Sequence, residues 1–259
     1  MAEGRVRVEQ AGPVLTVTLD RPDQLNAQTP ATWRALAAVG AALPPDVRVV
    51  VLRGAGRSFS AGLDRAMFTP AGVPGEVSLL NLAALAAVDA DELEATIATF
   101  QSAFTWWSEA PVATIAAVQG HAIGAGFQLA LACDLRILAE DARFAMRETS
   151  LGLVPDLAGT WPLVHAVGSA RALEICATGR WVGAAEAAAI GLATTVVPNE
   201  DLAATVGDLV AALLAAPEEA LRETLTLLRG AASRTPGEQR AAERSAQARR
   251  LKALAEGGD

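Results

Sequence analysis

Two loops rich in glycine and alanine constrain the fold of this chain more than any other feature of its sequence. The first, FSAGLDRAMF at 59–68, follows the apolar run VRVVVLRG at 47–54. The second, GHAIGAGFQLALACDLRI at 120–137, follows PVATIAAVQG at 111–120. Each loop therefore leads from a predicted buried strand into a segment that can be helical. Small residues let backbone N–H groups approach a ligand closely, and a helix N-terminus adds unpaired N–H groups.

Two turns of this kind that meet in space provide two N–H donors for one oxygen atom. Such a pair of donors stabilises the negative charge of an enolate or of a tetrahedral oxyanion. The same residues also suit tight strand-to-helix turns that bind nothing, and the sequence leaves that alternative open.

The hydrophobic pattern predicts strands that alternate with helices, followed by helices alone. A β-hairpin is expected at 5–22, because apolar and polar residues alternate on both sides of Ala11-Gly12-Pro13. Further strands are predicted at 47–53, 112–118 and 134–139, and helices at 30–41, 79–109, 125–132, 200–215, 217–230 and 236–254. This order indicates an α/β core over residues 1–195 and a helical C-terminal region over residues 196–259.

The composition narrows the classes of partner. The net charge is −8 over 259 residues, which argues against nucleic acid as the main partner. The N-terminus lacks the apolar core of a signal peptide, and no uninterrupted apolar run reaches membrane-spanning length. A cytoplasmic location without a membrane partner is therefore expected. The two cysteines and two histidines lack the spacing of metal ligands, so no metal site is predicted.

The chain resembles the crotonase superfamily, also called the enoyl-CoA hydratase/isomerase family. The resemblance runs from RPDQLNAQTP at 21–30, through both small-residue loops and RFAMRETSLGLVPDLAGT at 143–160, to the terminal helices. It implies a crotonase-like β-β-α spiral core, which binds acyl-CoA and is catalytic, and a helical C-terminal trimerisation region. It also implies a homotrimer or a dimer of trimers. The implied substrates are acyl-CoA thioesters, with no cofactor beyond the coenzyme A that they carry.

The resemblance assigns the two N–H donors to Leu63 and Ala125. Leu63 follows Ala61-Gly62, and Ala125 follows Gly124. The family often has glycine at the second place, but alanine keeps the N–H group and therefore the donor.

The resemblance also implies a binding region for coenzyme A. The adenine packs against residues 25–27, and the Ala61 carbonyl accepts a hydrogen bond from the adenine amino group. Asp64-Arg65 departs from the usual pattern, in which an aliphatic residue separates the acid from the base. Arg65, Arg21 or Arg57 is expected to reach a phosphate, because a guanidinium binds phosphate through paired N–H contacts. The candidate substrate-binding residues are Leu25, Ala27, Ala61, Gly62, Asp64, Arg65 and Gly124.

Hydratases of this family use two glutamates that activate one water molecule, and this sequence matches only one of them. Gln128 stands at the first position and Glu148 at the second. Gln128 cannot take a proton from water, because an amide is neutral and barely basic. One carboxylate suffices for a double-bond shift, in which it removes a proton α to the thioester and returns it at another carbon. The leading hypothesis is isomerisation by Glu148, whose pKa an apolar surround has to raise.

Several alternatives stay open at this point. Glu148 is also placed to be a helix-end carboxylate paired with Arg143 or Arg147. Asp156 is either a second acid–base group or water holder, or the N-cap of a helix that starts near Ala158. For the whole protein, the alternatives are a weak hydratase and a non-catalytic acyl-CoA-binding protein.

Overall fold

The computed structural model describes residues 3–76, 78, 81 and 90–257, and in this part of the chain the strands form two sheets. The larger sheet contains, in spatial order, β1 (Val6–Ala11), β2 (Val14–Leu19), β3 (Val49–Gly54), β4 (Ala113–Val118), β6 (Leu135–Ala139) and β9 (Thr195–Val197). The smaller sheet contains β5 (His121–Ile123), β7 (Arg143–Ala145) and β8 (Val182–Gly183). In the larger sheet, β1 and β2 form an antiparallel hairpin and the other neighbours are parallel.

Helices cover both faces of the larger sheet. In chain order they are α1 (Pro30–Ala41), α2 (Ala90–Glu109), α3 (Ala125–Ala132), α4 (Thr160–Val167), α5 (Ser169–Thr178), α6 (Ala184–Ala189), α7 (Leu202–Ala215), α8 (Glu218–Ala231) and α9 (Pro236–Ala255). One face packs against α1, α2 and α3 through a cluster that includes Trp33, Phe104 and Phe127. The opposite face packs against α7 through a smaller cluster that includes Val206. Burial on both faces explains why β3 and β4 are continuous apolar runs in the sequence.

Local capping determines where two of the helices begin. At the start of α1, the Thr29 hydroxyl accepts from the Thr32 N–H, and the Thr32 hydroxyl accepts from the Thr29 N–H. Thr235 and Glu238 make the same reciprocal pair at the start of α9. In both helices the first residue is a proline, whose missing N–H would be unpaired there in any case. These local signals are the reason that the predicted starts are correct.

The predicted hairpin, strands and helices are confirmed with small shifts of their ends. The predicted helix at 125–132 coincides with α3. The predicted helix at 79–109 is confirmed over Ala90–Glu109, whereas 79, 80 and 82–89 lie outside the described residues. The last three helices lie in the predicted C-terminal region, but the boundary between 1–195 and 196–259 stays a prediction. Of the helices described, none is long and apolar enough to cross a bilayer.

A partly buried ion pair attaches the C-terminal helices to the larger sheet. Arg229, on α8, donates from Nε and Nη2 to the two carboxylate oxygens of Asp134, at 2.8 and 2.6 Å. Its guanidinium also donates to the carbonyl oxygens of Ala110 and Val112, just before β4. Asp134 in turn accepts from the backbone N–H and the hydroxyl of Thr114. The pair therefore links a helix to two strands.

We expect Arg229→Ala to destabilise the fold by about 2–3 kcal/mol, because it leaves the Asp134 carboxylate and two backbone carbonyls without their charged donor. Thermal and urea unfolding measure the change. Arg222→Ala on the same helix is the matched control, since Arg222 makes a more exposed pair with Glu218 at 2.7 Å. Its expected cost is about 0.5 kcal/mol or less. An equal decrease in the free energy of unfolding for the two variants would contradict the inference that Arg229 attaches the C-terminal helices to the sheet.

Candidate active site

The two small-residue loops lie side by side. The Ser60 N–H donates to the His121 carbonyl at 2.8 Å, and the Ile123 N–H donates to the Ser60 carbonyl at 3.0 Å. Gly62 has a φ of +82°, and a Cβ atom there would clash with the Ile123 carbonyl oxygen. The same Cβ would lie 3.5 Å from the Ala125 nitrogen. Glycine is therefore required at position 62 both by the left-handed backbone and by the close approach of the second loop.

The N–H groups of Leu63 and Ala125 have no hydrogen-bond acceptor among the described residues. Neighbouring amides on the same turns are paired: the Asp64 N–H donates to the Gln28 carbonyl, and the Gly124 N–H donates to the Ala145 carbonyl, both at 2.8 Å. Ala125 is the first residue of α3, where the N–H groups of a helix lack intrahelical partners. Each of the two turns thus keeps a free donor at the place where they touch.

The carboxylate of Glu148 lies against the second of these loops. A Cβ atom at Gly124 would lie 3.1 Å from Glu148 Oε1, which accepts from Gln128 Nε2 at 2.7 Å. Glu148 Oε2 is buried and accepts no hydrogen bond from any described residue. Burial raises the pKa of Glu148, and the hydrogen bond from Gln128 offsets part of that rise. One oxygen of this carboxyl group is therefore positioned by the protein, and the other is unpaired.

The alternative that Glu148 pairs with Arg143 or Arg147 is wrong. In the part of the chain that the structure describes, Glu148 forms no salt bridge with Arg143 or Arg147, since its Oε1 accepts from Gln128 and its Oε2 has no hydrogen-bond partner. The Arg147 guanidinium instead lies 5.3 Å from the ring centroid of Trp181. A cation over an aromatic face gains electrostatic stabilisation without a carboxylate partner.

The orientation of the Gln128 amide is determined by two backbone N–H groups. Gln128 Oε1 accepts from the Leu157 N–H at 2.9 Å and from the Gly159 N–H at 3.3 Å. Ala158, between these donors, has a φ of +61°, which is rare for a residue other than glycine. Because the carbonyl side of the amide is occupied, the NH2 group has to face Glu148. The sequence identified Gln128 but did not predict the turn at 157–159 that orients it.

Asp156 is close enough to Glu148 for its negative charge to raise the pKa of that residue further. Its own pKa is raised by burial. The alternative that Asp156 caps a helix starting near Ala158 is wrong, because α4 begins at Thr160 and Gly159 occupies the N-cap position without a side-chain bond. The short turn at 157–159 separates Asp156 from the helix end. The carboxyl group therefore belongs to the surroundings of Glu148.

The segment predicted to contact adenine is packed against the first loop. Leu25 and Asn26 both have positive φ values, +50° and +54°. The Leu25 carbonyl accepts from the Ala61 N–H at 2.8 Å, whereas no described residue donates to the Ala61 carbonyl. The buried Asn26 side chain donates to the Ala55 carbonyl at 2.8 Å. Two consecutive residues keep a left-handed backbone only where surrounding contacts stabilise it, and these two hydrogen bonds provide such contacts.

The charged residues of this region divide into paired and unpaired groups. Arg21 donates to the Ala27 carbonyl at 2.8 Å and forms an ion pair with Asp64 at 3.0 Å. Asp64 also accepts from the Ala66 N–H, which starts a short 3-10 turn at Arg65–Phe68. Arg65 is exposed, and its side chain has no partner among the described residues. Asp64 and Arg21 thus stabilise the loop, while Arg65 is available to a ligand.

Comparisons with known proteins show the family of this chain. The family model for enoyl-CoA hydratase/isomerase matches residues 80–255. A probable enoyl-CoA hydratase of Rhodobacter capsulatus is 36% identical over 201 residues, which cover 78% of this chain and 72% of that protein. A probable enoyl-CoA hydratase of Mycobacterium tuberculosis is 34% identical over 203 residues, which cover 76% and 70%.

Solved structures share the whole fold. A candidate enoyl-CoA hydratase of Thermobifida fusca YX in complex with CoA has a TM-score of 0.90 and 46% identity, covering 98% of this chain and 95% of that chain. The same description applies to a complex with acetoacetyl-CoA, with a TM-score of 0.91 and 47% identity over 96% and 95%. The chain therefore belongs to the enoyl-CoA hydratase/isomerase family, the crotonase superfamily.

Proposed function

We propose that this protein shifts a carbon–carbon double bond of an enoyl-CoA thioester, with Glu148 as its single proton shuttle. The observation that carries the proposal is the unpaired, buried Oε2 of Glu148, in a carboxyl group that contacts the loop ending at the free Ala125 N–H. An unpaired carboxylate oxygen beside two free amide donors suits proton transfer α to a carbonyl. Binding of a CoA thioester is supported by the CoA and acetoacetyl-CoA complexes of the similar Thermobifida protein.

In the proposed reaction, the thioester oxygen accepts hydrogen bonds from the N–H groups of Leu63 and Ala125. Glu148 removes the proton from the α carbon of a 3-enoyl-CoA, and the electrons of that C–H bond delocalise into the thioester as a dienolate. The two amides stabilise the charge on its oxygen. Glu148 then returns the proton to the γ carbon, which yields a 2-enoyl-CoA without gain or loss of atoms.

The geometry of Gln128 supports isomerisation over hydration with two glutamates. Its Oε1 is already bonded to the N–H groups of Leu157 and Gly159, and its Nε2 donates to Glu148. The side chain thus has no free acceptor that could orient the O–H of an attacking water. We infer that Gln128 holds the Glu148 carboxylate in place and takes no proton itself.

The proposal is tested by incubating a 3-enoyl-CoA with the protein in D₂O. We expect the absorbance of a conjugated 2-enoyl thioester to appear, and NMR to show deuterium at the α or γ carbon. A saturated acyl-CoA should also exchange its α protons. Binding without double-bond shift and without exchange would overturn the proposal and favour a non-catalytic acyl-CoA-binding protein.

We expect Gln128→Glu to raise hydration of a 2-enoyl-CoA by about tenfold or more, since it supplies the second acid–base group that hydration needs. One oxygen of the new carboxyl group keeps the bonds from Leu157 and Gly159, and the other faces Glu148, so the two carboxyl groups have to share one proton. The rate of 3-hydroxyacyl-CoA formation is the measurement. Gln239→Glu, on α9, is the control and should leave hydration unchanged. No gain in the Gln128 variant would mean that the amide is not what limits hydration.

A second candidate function is hydration with Glu148 and Asp156 as the two carboxylates. It is favoured by the effect of the Asp156 charge on the pKa of Glu148, and by relatives that are named probable enoyl-CoA hydratases. Asp156→Asn separates the two functions. Loss of hydration with retained isomerisation would assign water activation to Asp156, whereas loss of neither would remove Asp156 from the chemistry.

We also propose that the chain assembles into a homotrimer or a dimer of trimers. Large apolar side chains that are exposed in the single chain support association. They include Leu151, Val154, Trp161, Leu228, Leu251 and Leu254. Exposed apolar side chains of this size are typical of surfaces that other subunits cover. Sedimentation equilibrium tests the proposal, and a monomer at micromolar concentration would contradict it.

A further inference from the structure

Ser60 connects three segments that surround the candidate active site. Its backbone N–H and carbonyl bond to His121 and Ile123 of β5, which leads into the second loop. Its hydroxyl oxygen lies 2.8 Å from the Asn26 carbonyl oxygen, 2.9 Å from Gln28 Nε2 and 3.2 Å from the Gly62 nitrogen. Ser60 is completely buried, so these groups have no solvent to replace it. The residue therefore joins the 25–28 segment and both donor loops.

The direction of each hydrogen bond in this network follows from Trp33. An indole N–H can only donate, and Trp33 Nε1 lies 2.8 Å from Gln28 Oε1. The Gln28 oxygen is thereby the acceptor, so its Nε2 has to donate to the Ser60 hydroxyl. The Gly62 N–H also donates to that hydroxyl, because a backbone N–H group can only donate.

With both acceptor positions of the Ser60 oxygen occupied, its single proton has to go to the Asn26 carbonyl. The hydroxyl is fully satisfied and can adopt only this arrangement. Loss of the hydroxyl would remove the partner of the buried Gly62 N–H, of Gln28 Nε2 and of the Asn26 carbonyl, a costly state that the backbone relieves by moving.

The bond to the Gly62 N–H bears directly on the first donor. Gly62 immediately precedes Leu63, and its left-handed backbone is held by this hydrogen bond and by close packing against the Ile123 carbonyl. The Ser60 backbone sets the position of β5, at whose end Ala125 follows. Gly126 also packs on Ser60, since a Cβ atom there would clash with the Ser60 carbonyl oxygen. One residue thus contacts the backbone beside each of the two free N–H groups.

We propose that Ser60 is a positioning residue that aligns the Leu63 N–H with the Ala125 N–H, and thereby determines how strongly the site prefers a thioester carbonyl. This inference rests on the proposed function, because it assumes that both N–H groups bind the thioester oxygen. The Ser60 side chain does not contact the substrate. Its effect passes through the Gly62 amide and the main chain of β5.

The test compares two ligands that differ only at the carbonyl. Butyryl-CoA is a thioester, and S-butyl-CoA is the thioether in which a CH2 group replaces the carbonyl. Calorimetry on the full-length protein gives both dissociation constants. In Ser60→Ala we expect the preference for the thioester to fall about tenfold, the equivalent of one good hydrogen bond. Affinity for the thioether should stay within about twofold, because that ligand does not use the two amides.

Ser58→Ala is the matched control. Ser58 is a buried serine that immediately precedes this loop; its hydroxyl lies 3.3 Å from His121 Nδ1 and accepts from the His121 N–H at 3.4 Å, but it makes no bond to Gly62. Its thioester preference should equal that of the unsubstituted protein. Gln28→Met removes the donor to Ser60 and retains the serine, so it carries the test if Ser60→Ala does not fold. Ser60→Cys, with a weak S–H donor, should restore part of the preference.

The two proposals fail in different ways. If the unsubstituted protein binds both ligands equally, the two-amide site is absent and the proposed function falls with it. If it prefers the thioester and both Ser60→Ala and Gln28→Met retain that preference, only the role of Ser60 is overturned.

Discussion

Glu148→Gln lowers the rate of double-bond shift in 3-enoyl-CoA by about 10²–10⁴-fold, the usual cost of removing one general acid–base group. Glutamine has nearly the same shape, so the packing against Gly124 is retained. The neutral amide cannot accept the α proton at the position that Glu148 Oε2 occupies. The measurement is steady-state turnover, together with deuterium exchange at the α carbon of a saturated acyl-CoA.

Affinity for the saturated acyl-CoA should change little in this variant, because Glu148 is proposed to act on the proton and not to hold the ligand. Glu140→Gln, which alters an exposed carboxylate after β6, is the matched control and should keep full turnover. Undiminished isomerisation in Glu148→Gln would remove this residue from the mechanism.

The raised pKa of Glu148 determines the direction in which kcat/KM and the folding stability change with pH. Burial raises the pKa of Glu148, so the fraction of the base form, and with it kcat/KM, increases with pH through a midpoint above the value of about 4.3 for an exposed glutamate. The stability changes in the opposite direction. A raised pKa in the folded state stabilises the protein while the group is protonated, and this contribution is lost as pH rises through that pKa. Glu148→Gln should remove the corresponding part of both profiles.

Ala125→Pro lowers turnover by about 10²–10³-fold, the cost observed when one oxyanion donor is removed. Proline deletes the N–H at the first residue of α3, a position where this group has no partner in the described structure and where proline is favoured in helices. The helix itself should therefore persist. Circular dichroism and the melting temperature check that it does.

Ala125→Gly is the matched variant for this experiment. It changes the side chain but retains the N–H group, so near-normal turnover is expected. Butyryl-CoA should bind more weakly to Ala125→Pro, whereas S-butyl-CoA should not. Equal turnover in the proline and glycine variants would show that the Ala125 N–H does not bind the reacting oxygen.

The fold was largely predictable because its signals are local. Threonine followed by proline starts α1 and α9, and continuous apolar runs form the strands that are buried on both faces. The two small-residue turns were found from the glycines that their backbone requires. The start of the helix predicted at 79–109 falls largely on residues outside the described part of the chain, so it stays a prediction.

The sequence by itself identified the candidate residues of the site: one glutamate, one glutamine, and two turns with small residues. Only the tertiary structure decided what they do to one another. Gln128 donates to Glu148 because Leu157 and Gly159 occupy its carbonyl. Glu148 Oε2 is unpaired, and Arg147 lies over Trp181 and forms no pair with it. The direction of a side-chain hydrogen bond depends on partners that are distant along the chain, and no local pattern encodes it.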